Sequence, residues 1–336
     1  MEPLTDVRDI AQIAYGFIAS KVLFASLHLD LYSRLAAHPK TLHQLATETG
    51  IAAHRLLTLL TACCSLGLLT LEHETYRNAP ASARYLVRGA PADFGDYFRW
   101  QVDRHVYPHL AHLDAALRGA PPQALYDLMA DKDEAAHFTR AQHAGSLGPA
   151  AVLARMVHLS HCQTLLDVAG GSGALSIALC RRYPALRATL MDFPTVLDTA
   201  REYVAASGVA PQIAYLPGDA LTVPWPQPQD VVLMSYLLSA VSLRAMRHLL
   251  VQAYSALRPG GVLLLHDFMV DEDRTGPTTA ALWFTVFLSN PEAISFTPGE
   301  LGELLSEQGF AVDDVREVIP RSTKLLVANK PHGDPG

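Results

Sequence analysis

The chain has 336 residues, half of them hydrophobic and 18% charged, with a formal net charge of −7. That length exceeds one comfortable core and suits two domains of ordinary size, and the composition argues against disorder. Lys and Arg are scattered, with no basic run longer than Arg181-Arg182. This argues against a nucleic-acid or anionic-membrane partner, since either needs a clustered cationic surface.

The N-terminus, MEPLTDVRDI, lacks the basic start and apolar core of a secretion signal. The most apolar stretch, Leu56 to Leu71, is interrupted by Thr, Ser, Cys and Gly and is short for a membrane span. The cytoplasm is the expected location. Cys63, Cys64, Cys162 and Cys180 sit in apolar surroundings without metal-ligand spacing and read as buried reduced thiols.

Residues 8–100 read as helices joined by short turns. Val22, Leu23, Leu27, Leu31 and Leu35 recur at helical spacing. A short helix follows, capped by Thr41 and ended by Gly50, and a third runs from Ala53 to Leu66, where Gly67 stops it. Leu68 to Asn78 alternates as a two-stranded wing. Three helices and a wing make a winged-helix pattern, but the would-be recognition helix carries one Arg and no Lys. A helix that meets phosphates needs more cations, so an apolar dimerisation surface is the better reading than DNA binding.

Residues 101–160 form a helical linker, with a loop at Gly119-Ala-Pro-Pro122 and a helix over Ala135 to Ser146. His105, His109 and His112 fall at i, i+4 and i+7, but Pro108 disturbs that face and no carboxylate completes a metal set. No metal is expected. From residue 161 short apolar runs (164–168, 187–191, 213–216, 230–235, 262–267) alternate with helical segments, the rhythm of an α/β Rossmann-like sheet. Runs 311–319 and 324–328 would close it as an antiparallel hairpin. The expected domains are thus 1–100, 101–160 and 161–332.

The first run of this sheet leads into Asp167-Val-Ala-Gly-Gly171-Ser-Gly173, a glycine turn ahead of a helix. Glycines there let backbone approach a ligand beside the positive end of the helix. Alone the loop is a weak signal. Asp192 ends the next strand, where ribose hydroxyls need an acceptor, and Gly218-Asp219-Ala220 ends the third, where a carboxylate can meet an adenine amino group. Together with Arg258-Pro-Gly-Gly261 they favour S-adenosylmethionine (SAM) over NAD.

On these motifs, with Phe138–Ser146, Met191-Asp-Phe-Pro194 and His266-Asp-Phe-Met269, nearly the whole chain resembles the caffeate and acetylserotonin O-methyltransferases and their bacterial relatives. The resemblance implies a homodimer built through a winged-helix half (1–100), a linker contributing to the substrate pocket (101–160), and a class I methyltransferase domain (161–332). It further implies that SAM is the methyl donor, held by Ser146, Asp167, Gly171, Gly173, Asp192, Gly218, Asp219, Ala220 and Ser235. The acceptor is implied to be a small molecule bound by Tyr97, Trp100, Arg140, Trp283, Phe287 and Asn290. Arg140 or Arg99 suits a substrate carboxylate.

One departure stands out. The family motif Lys-Trp-x-x-His-Asp-Trp reads Ser235-Tyr-Leu-Leu-Ser239-Ala-Val241 here, so Ser239 stands where the proton-accepting His is expected. A serine hydroxyl is no base near neutral pH without its own activator. Three escapes exist. The acceptor is a thioether sulfur, as for methylthiohydroxybutyrate S-methyltransferases; or an activated carbon, as for bacteriochlorophyllide methyltransferases; or an acidic hydroxyl, ionised alone or served by His105, His143 or Tyr126. Outside these lie a catalytically silent SAM binder and a winged-helix regulator.

Overall fold

The computed structural model describes residues 3–119, 125–290 and 292–332, without the side chains of Leu125, Tyr126 and Ser289. The chain divides into two compact units, Met1–His105 and Val106–Gly336.

The first unit runs α1 (Val7–His28), α2 (Leu31–Arg34), β1 (Lys40–Thr41), α3 (Leu42–Thr49), α4 (Ala53–Ser65), β2 (Leu69–Glu72), β3 (Thr75–Asn78) and α5 (Pro80–Tyr85). Thr41 and Gln44 close a capping box at the start of α3, and Gly50 ends it in the left-handed region. The wing is an antiparallel β2–β3 hairpin, to which β1 adds through β3. Its turn residues His73 and Glu74 both have positive φ, the geometry that matches strand twist. Leu27, Leu31, Tyr32, Leu45, Leu56, Leu60 and Leu69 form the core. The expected continuous helix through Val22–Leu35 is broken at Asp30, whose φ is +54°.

A second difference concerns apolar length. The most span-like segment is α1, 22 residues, rather than Leu56–Leu71; it is long and apolar enough to cross a membrane by length and composition. It leaves Val7, Ile10, Ile13, Phe17 and Ile18 exposed, so this unit does not bury it. After α5, residues Tyr97–Val106 wind as a π-helix. Arg99 is buried there, donating to Asp96 and to the Leu27 carbonyl at 3.1 Å.

The second unit begins with α6 (Tyr107–Leu110), α7 (Leu113–Leu117), a 3₁₀ turn (Leu125–Ala130) and α8 (Lys132–Met156). The π winding and the break after Leu110 remove the regular spacing expected for His105, His109 and His112. The expected loop at Gly119–Pro122 falls, beyond Gly119, outside the described residues. Asp131 caps α8, accepting from the N–H groups of Asp133 and Glu134, and the helix runs ten residues past Ser146.

The sheet follows: β4 (Thr164–Val168), α9 (Ala174–Arg182), β5 (Arg187–Asp192), α10 (Pro194–Ala206), β6 (Ile213–Pro217), β7 (Gln229–Ser235), α11 (Leu243–Ala256), β8 (Leu257–Phe268), α12 (Thr278–Val286), α13 (Pro298–Glu307), β9 (Ala311–Ile319) and β10 (Thr323–Asn329). Strand order is β6-β5-β4-β7-β8-β10-β9, with β10 antiparallel to both its neighbours. Side-chain alternation feeds two cores, one through Leu166, Val232 and Leu263 and the other through Leu165, Val231 and Leu264. Strand order reverses between β4 and β7, and the crevice outside their C-terminal ends is where such sheets bind ligands.

Candidate active site

The loop after β4 is shaped by left-handed backbone at Ala169 (φ +53°), Gly171 (+58°) and Gly173 (+77°). Left-handed geometry costs a residue with a Cβ about 1–2 kcal/mol, so Ala169 holds the first of the three positions under strain. At Gly170 the reason for glycine is contact: a Cβ would lie 2.3 Å from Leu190 Cδ1 and 2.6 Å from Asp167 Cγ. The loop is tethered by Gly170 N–H to the Met191 carbonyl (3.2 Å) and by Gly171 N–H to Asp192 Oδ2 (2.8 Å).

Three carboxylates surround the loop. Asp167 is fully buried and accepts from the Ser176 hydroxyl at 2.6 Å, while its Oδ1 has no partner. Burial pushes its pKa up to about 7, and the nearby charge of Asp192 adds to that. Asp192 also accepts from Phe193 N–H at 2.7 Å, and burial raises it to about 6. Asp219 Oδ1 accepts from Leu221 N–H at 2.9 Å. The turn before Asp219 requires Gly218, whose φ is +147° and whose Cβ would strike Val223 Cγ2 at 2.1 Å.

The wall after β7 rests on β8. Ser235 Oγ lies 2.9 Å from His266 Nδ1, and His266 Nε2 lies 2.9 Å from Thr323 Oγ1. Burial depresses His266 to about 3, so the ring is neutral. Tyr236 takes a left-handed φ of +55° and sets its ring edge-on to His266 and against Phe268. In the turn Leu238–Ala240, Ser239 N–H donates to Asp267 Oδ2 at 3.1 Å. The Ser239 side chain is buried there and its hydroxyl has no partner of hydrogen-bond geometry.

These elements enclose a cavity of about 440 Å³. Its titratable lining, among the described residues, is Asp167, Asp192, Asp219 and Tyr236. Ser146, Gly171, Gly218, Ala220, Ser235, Phe287 and Asn290 line it as well, with Met129, Phe138, Thr139, Gln142, Ser172 and Phe193. Residues 117–311 match the O-methyltransferase domain, and residues 11–88 match the O-methyltransferase dimerisation domain. The chain belongs to the O-methyltransferase family.

This O-methyltransferase is 33% identical to the tetracenomycin polyketide synthesis 8-O-methyl transferase TcmO of Streptomyces glaucescens, over 98% of this chain and 100% of that one. It is 32% identical to the 3-hydroxy-5-methyl-1-naphthoate 3-O-methyltransferase of Streptomyces sahachiroi, over 96% of this chain and 94% of that one. The crystal structure of human N-acetylserotonin methyltransferase in complex with SAM matches it with a TM-score of 0.86 at 27% identity, covering 98% of this chain and 100% of that chain. It is therefore a SAM-dependent enzyme acting on a small molecule.

Several residues expected at the site lie elsewhere in the O-methyltransferase. Arg140 is exposed on α8 and pairs with Glu202 of α10 at 3.3 Å, so it does not reach the cavity. Trp283 stacks on Phe268 at 5.2 Å between ring centroids and, half-buried, packs against the core; it is not among the residues lining the cavity. Ser239 is buried against Asp267 and does not line it either, because its turn presents Leu237, Ala240 and Val241 instead. Gly173 sits behind the loop as the N-cap residue of α9. His143 stands behind Ser172, and burial lowers its pKa to about 4. Tyr97, Trp100 and His105 belong to the first unit and are placed only there. The Tyr126 side chain lies outside the described residues.

Sequence reasoning missed Thr139, Gln142, Ser172, Phe193 and Tyr236. The first two share a helix face with Ser146, at i, i+3 and i+7, so helical spacing from Ser146 was the available signal. Thr139 is buried and its hydroxyl has no partner.

Proposed function

We propose that this enzyme methylates the oxygen of an acidic ring hydroxyl, and that no side chain of the cavity removes the proton. The observation carrying this reading is the turn after β7, where Ser239 is withdrawn and the cavity is lined by Tyr236, Leu237, Ala240 and Val241, with no carboxylate or imidazole among them. One named relative is an 8-O-methyl transferase of tetracenomycin polyketide synthesis and the other a 3-O-methyltransferase of a hydroxynaphthoate, which supports oxygen over sulfur or carbon and a ring over a chain. Met129, Phe138, Val196 and Phe287 supply apolar lining suited to such a ring. The phenolate forms before binding, its proton going to solvent.

The residues fit the donor. Asp167 lines the cavity, and its unpartnered Oδ1 leaves an acceptor for a cationic ligand. Asp192 holds the ribose hydroxyls and Asp219 the adenine amino group. Backbone at Gly171, with Ser146, lies along the methionine portion, while Gly218, Ala220 and Ser235 complete the walls. SAM supplies a methyl on a sulfonium for in-line displacement, and alignment by these groups provides much of the rate. Phe287 and Asn290 position the acceptor, Asn290 being held by the Ala240 carbonyl at 3.5 Å. The enzyme is a homodimer, the exposed apolar stripe of α1 and the dimerisation domain both supporting that assembly.

The test is a series of phenols of graded acidity. With no enzymic base, the inflection of kcat/KM against pH moves with the pKa of each acceptor. An inflection that stays at one pH for every acceptor identifies an enzyme base and overturns the reading.

A further inference from the structure

Ser172 lies between two left-handed glycines, is 3% exposed and lines the cavity. Its hydroxyl is 2.9 Å from Nδ1 of His143, a residue of α8 that is not part of the cavity wall. The imidazole is itself fixed, stacked on Tyr203 of α10 with ring centroids 3.6 Å apart and planes within 12°. Two helices thus clamp the ring that grips the loop.

The preceding residue of the loop is held by Asp192, through Gly171 N–H. That carboxylate must also serve the ribose, so its hold on the loop is shared with the ligand. The Ser172–His143 contact makes no such demand. Glycine-rich backbone is conformationally permissive, and an anchor from outside the ligand site preserves the loop's bound shape before the ligand arrives.

We propose that His143 is a positioning residue for the SAM loop: its Nδ1 orients the Ser172 hydroxyl and so fixes the loop in the shape that receives the methionine portion. This rests on the cavity being the SAM site. His143 takes no part in proton transfer. Its burial keeps the ring neutral, and it holds Ser172 rather than facing the acceptor. It acts on donor affinity, not on the chemical step.

The experiment combines calorimetric SAM binding with steady-state kinetics on wild type, His143→Ala, His143→Asn, Ser172→Ala and the double variant. Loss of one neutral hydrogen bond weakens SAM binding about threefold to tenfold in His143→Ala, with kcat changed less than about threefold. Asn can set a polar atom near the position of Nδ1 and restores most of the affinity. Ser172→Ala matches His143→Ala, and the double variant is no weaker than either, since one contact is removed in all three. A loss in kcat of about a hundredfold with unchanged SAM affinity would assign His143 to proton transfer and overturn the proposal. Additive losses in the double variant, or no loss in Ser172→Ala, would overturn it too. If wild type itself gives no heat with SAM, it is the donor-site reading that fails.

Discussion

The backbone N–H of Ser239 and the carboxylate of Asp267 meet at 3.1 Å, pinning the turn after β7 to the end of β8. Asp267 is buried and also accepts from Phe268 N–H at 2.8 Å; burial raises its pKa to about 6. The hydrogen bond that pins the turn comes from the backbone of residue 239. Ser239→Ala should therefore keep about a tenth or more of the activity, because no proton passes through the side chain. The Ser239 hydroxyl makes no hydrogen bond of full geometry but lies close enough to Asp267 to favour its ionised form, so its removal should cost no more than about 1 kcal/mol of stability. Initial rates and a thermal melt check both, and a loss of about a thousandfold would return the serine to the reaction.

Asp192 gives a pH prediction for the donor. Its free-state pKa is raised to about 6 by burial, and ribose hydroxyls donate to the ionised form. Binding therefore releases a proton at low pH, and affinity weakens as pH falls through 6, by up to about tenfold per unit. Above pH 7 the contribution of Asp192 is flat. Asp192→Asn should bind SAM more weakly at pH 7.5, by a few kcal/mol at most (about 3) for charge-assisted hydrogen bonds, and with a shallower pH slope. Calorimetry at pH 5.5, 6.5 and 7.5 measures both, and an unchanged slope in the variant would count against the assignment.

Strand positions were legible because each run is apolar, β-branched or Leu-rich, and bounded by turn residues; the expected hairpin at 311–319 and 324–328 is β9 and β10. The acids at the tips of β4, β5 and β6 were legible for the same reason, since strand ends set their place. Arg140 and Trp283 do not line the cavity, because a motif names a segment while helix phase decides which side chain faces inward. On α8 that phase gives the cavity to Thr139, Gln142 and Ser146 and turns Arg140 toward Glu202. The break at Asp30 and the left-handed Tyr236 are tertiary outcomes, invisible to periodicity.

His266 tests how far the cavity wall depends on a buried polar bridge. Its ring links Ser235 to Thr323 and is fully buried. His266→Ala leaves two hydroxyls without that partner and a void, and should lower stability by about 2–4 kcal/mol. The sign of its pH dependence follows from a folded pKa of about 3 against an ordinary 6.5. The unfolded chain binds the proton first, so the stability from neutral His266 is complete above pH 7 and is lost as pH falls through 6.5. The gap between wild type and variant should narrow from pH 7 to pH 5 in denaturant titrations. A gap that is constant or widens would mean that the ring is charged in the folded protein.

Ala169 offers a test of strain in the loop itself. Its φ of +53° lies where a Cβ is unfavourable. Ala169→Gly relieves about 1–2 kcal/mol of strain but restores about 0.5–1 kcal/mol of unfolded-state entropy, so the balance favours the variant by up to about 1.5 kcal/mol. The melting temperature should rise by a few degrees or stay level. SAM affinity should not improve in step, because the loop is already held in shape by Asp192 and His143. A variant that melts markedly lower would show that the Ala169 methyl contributes packing to the cavity wall that outweighs its strained backbone.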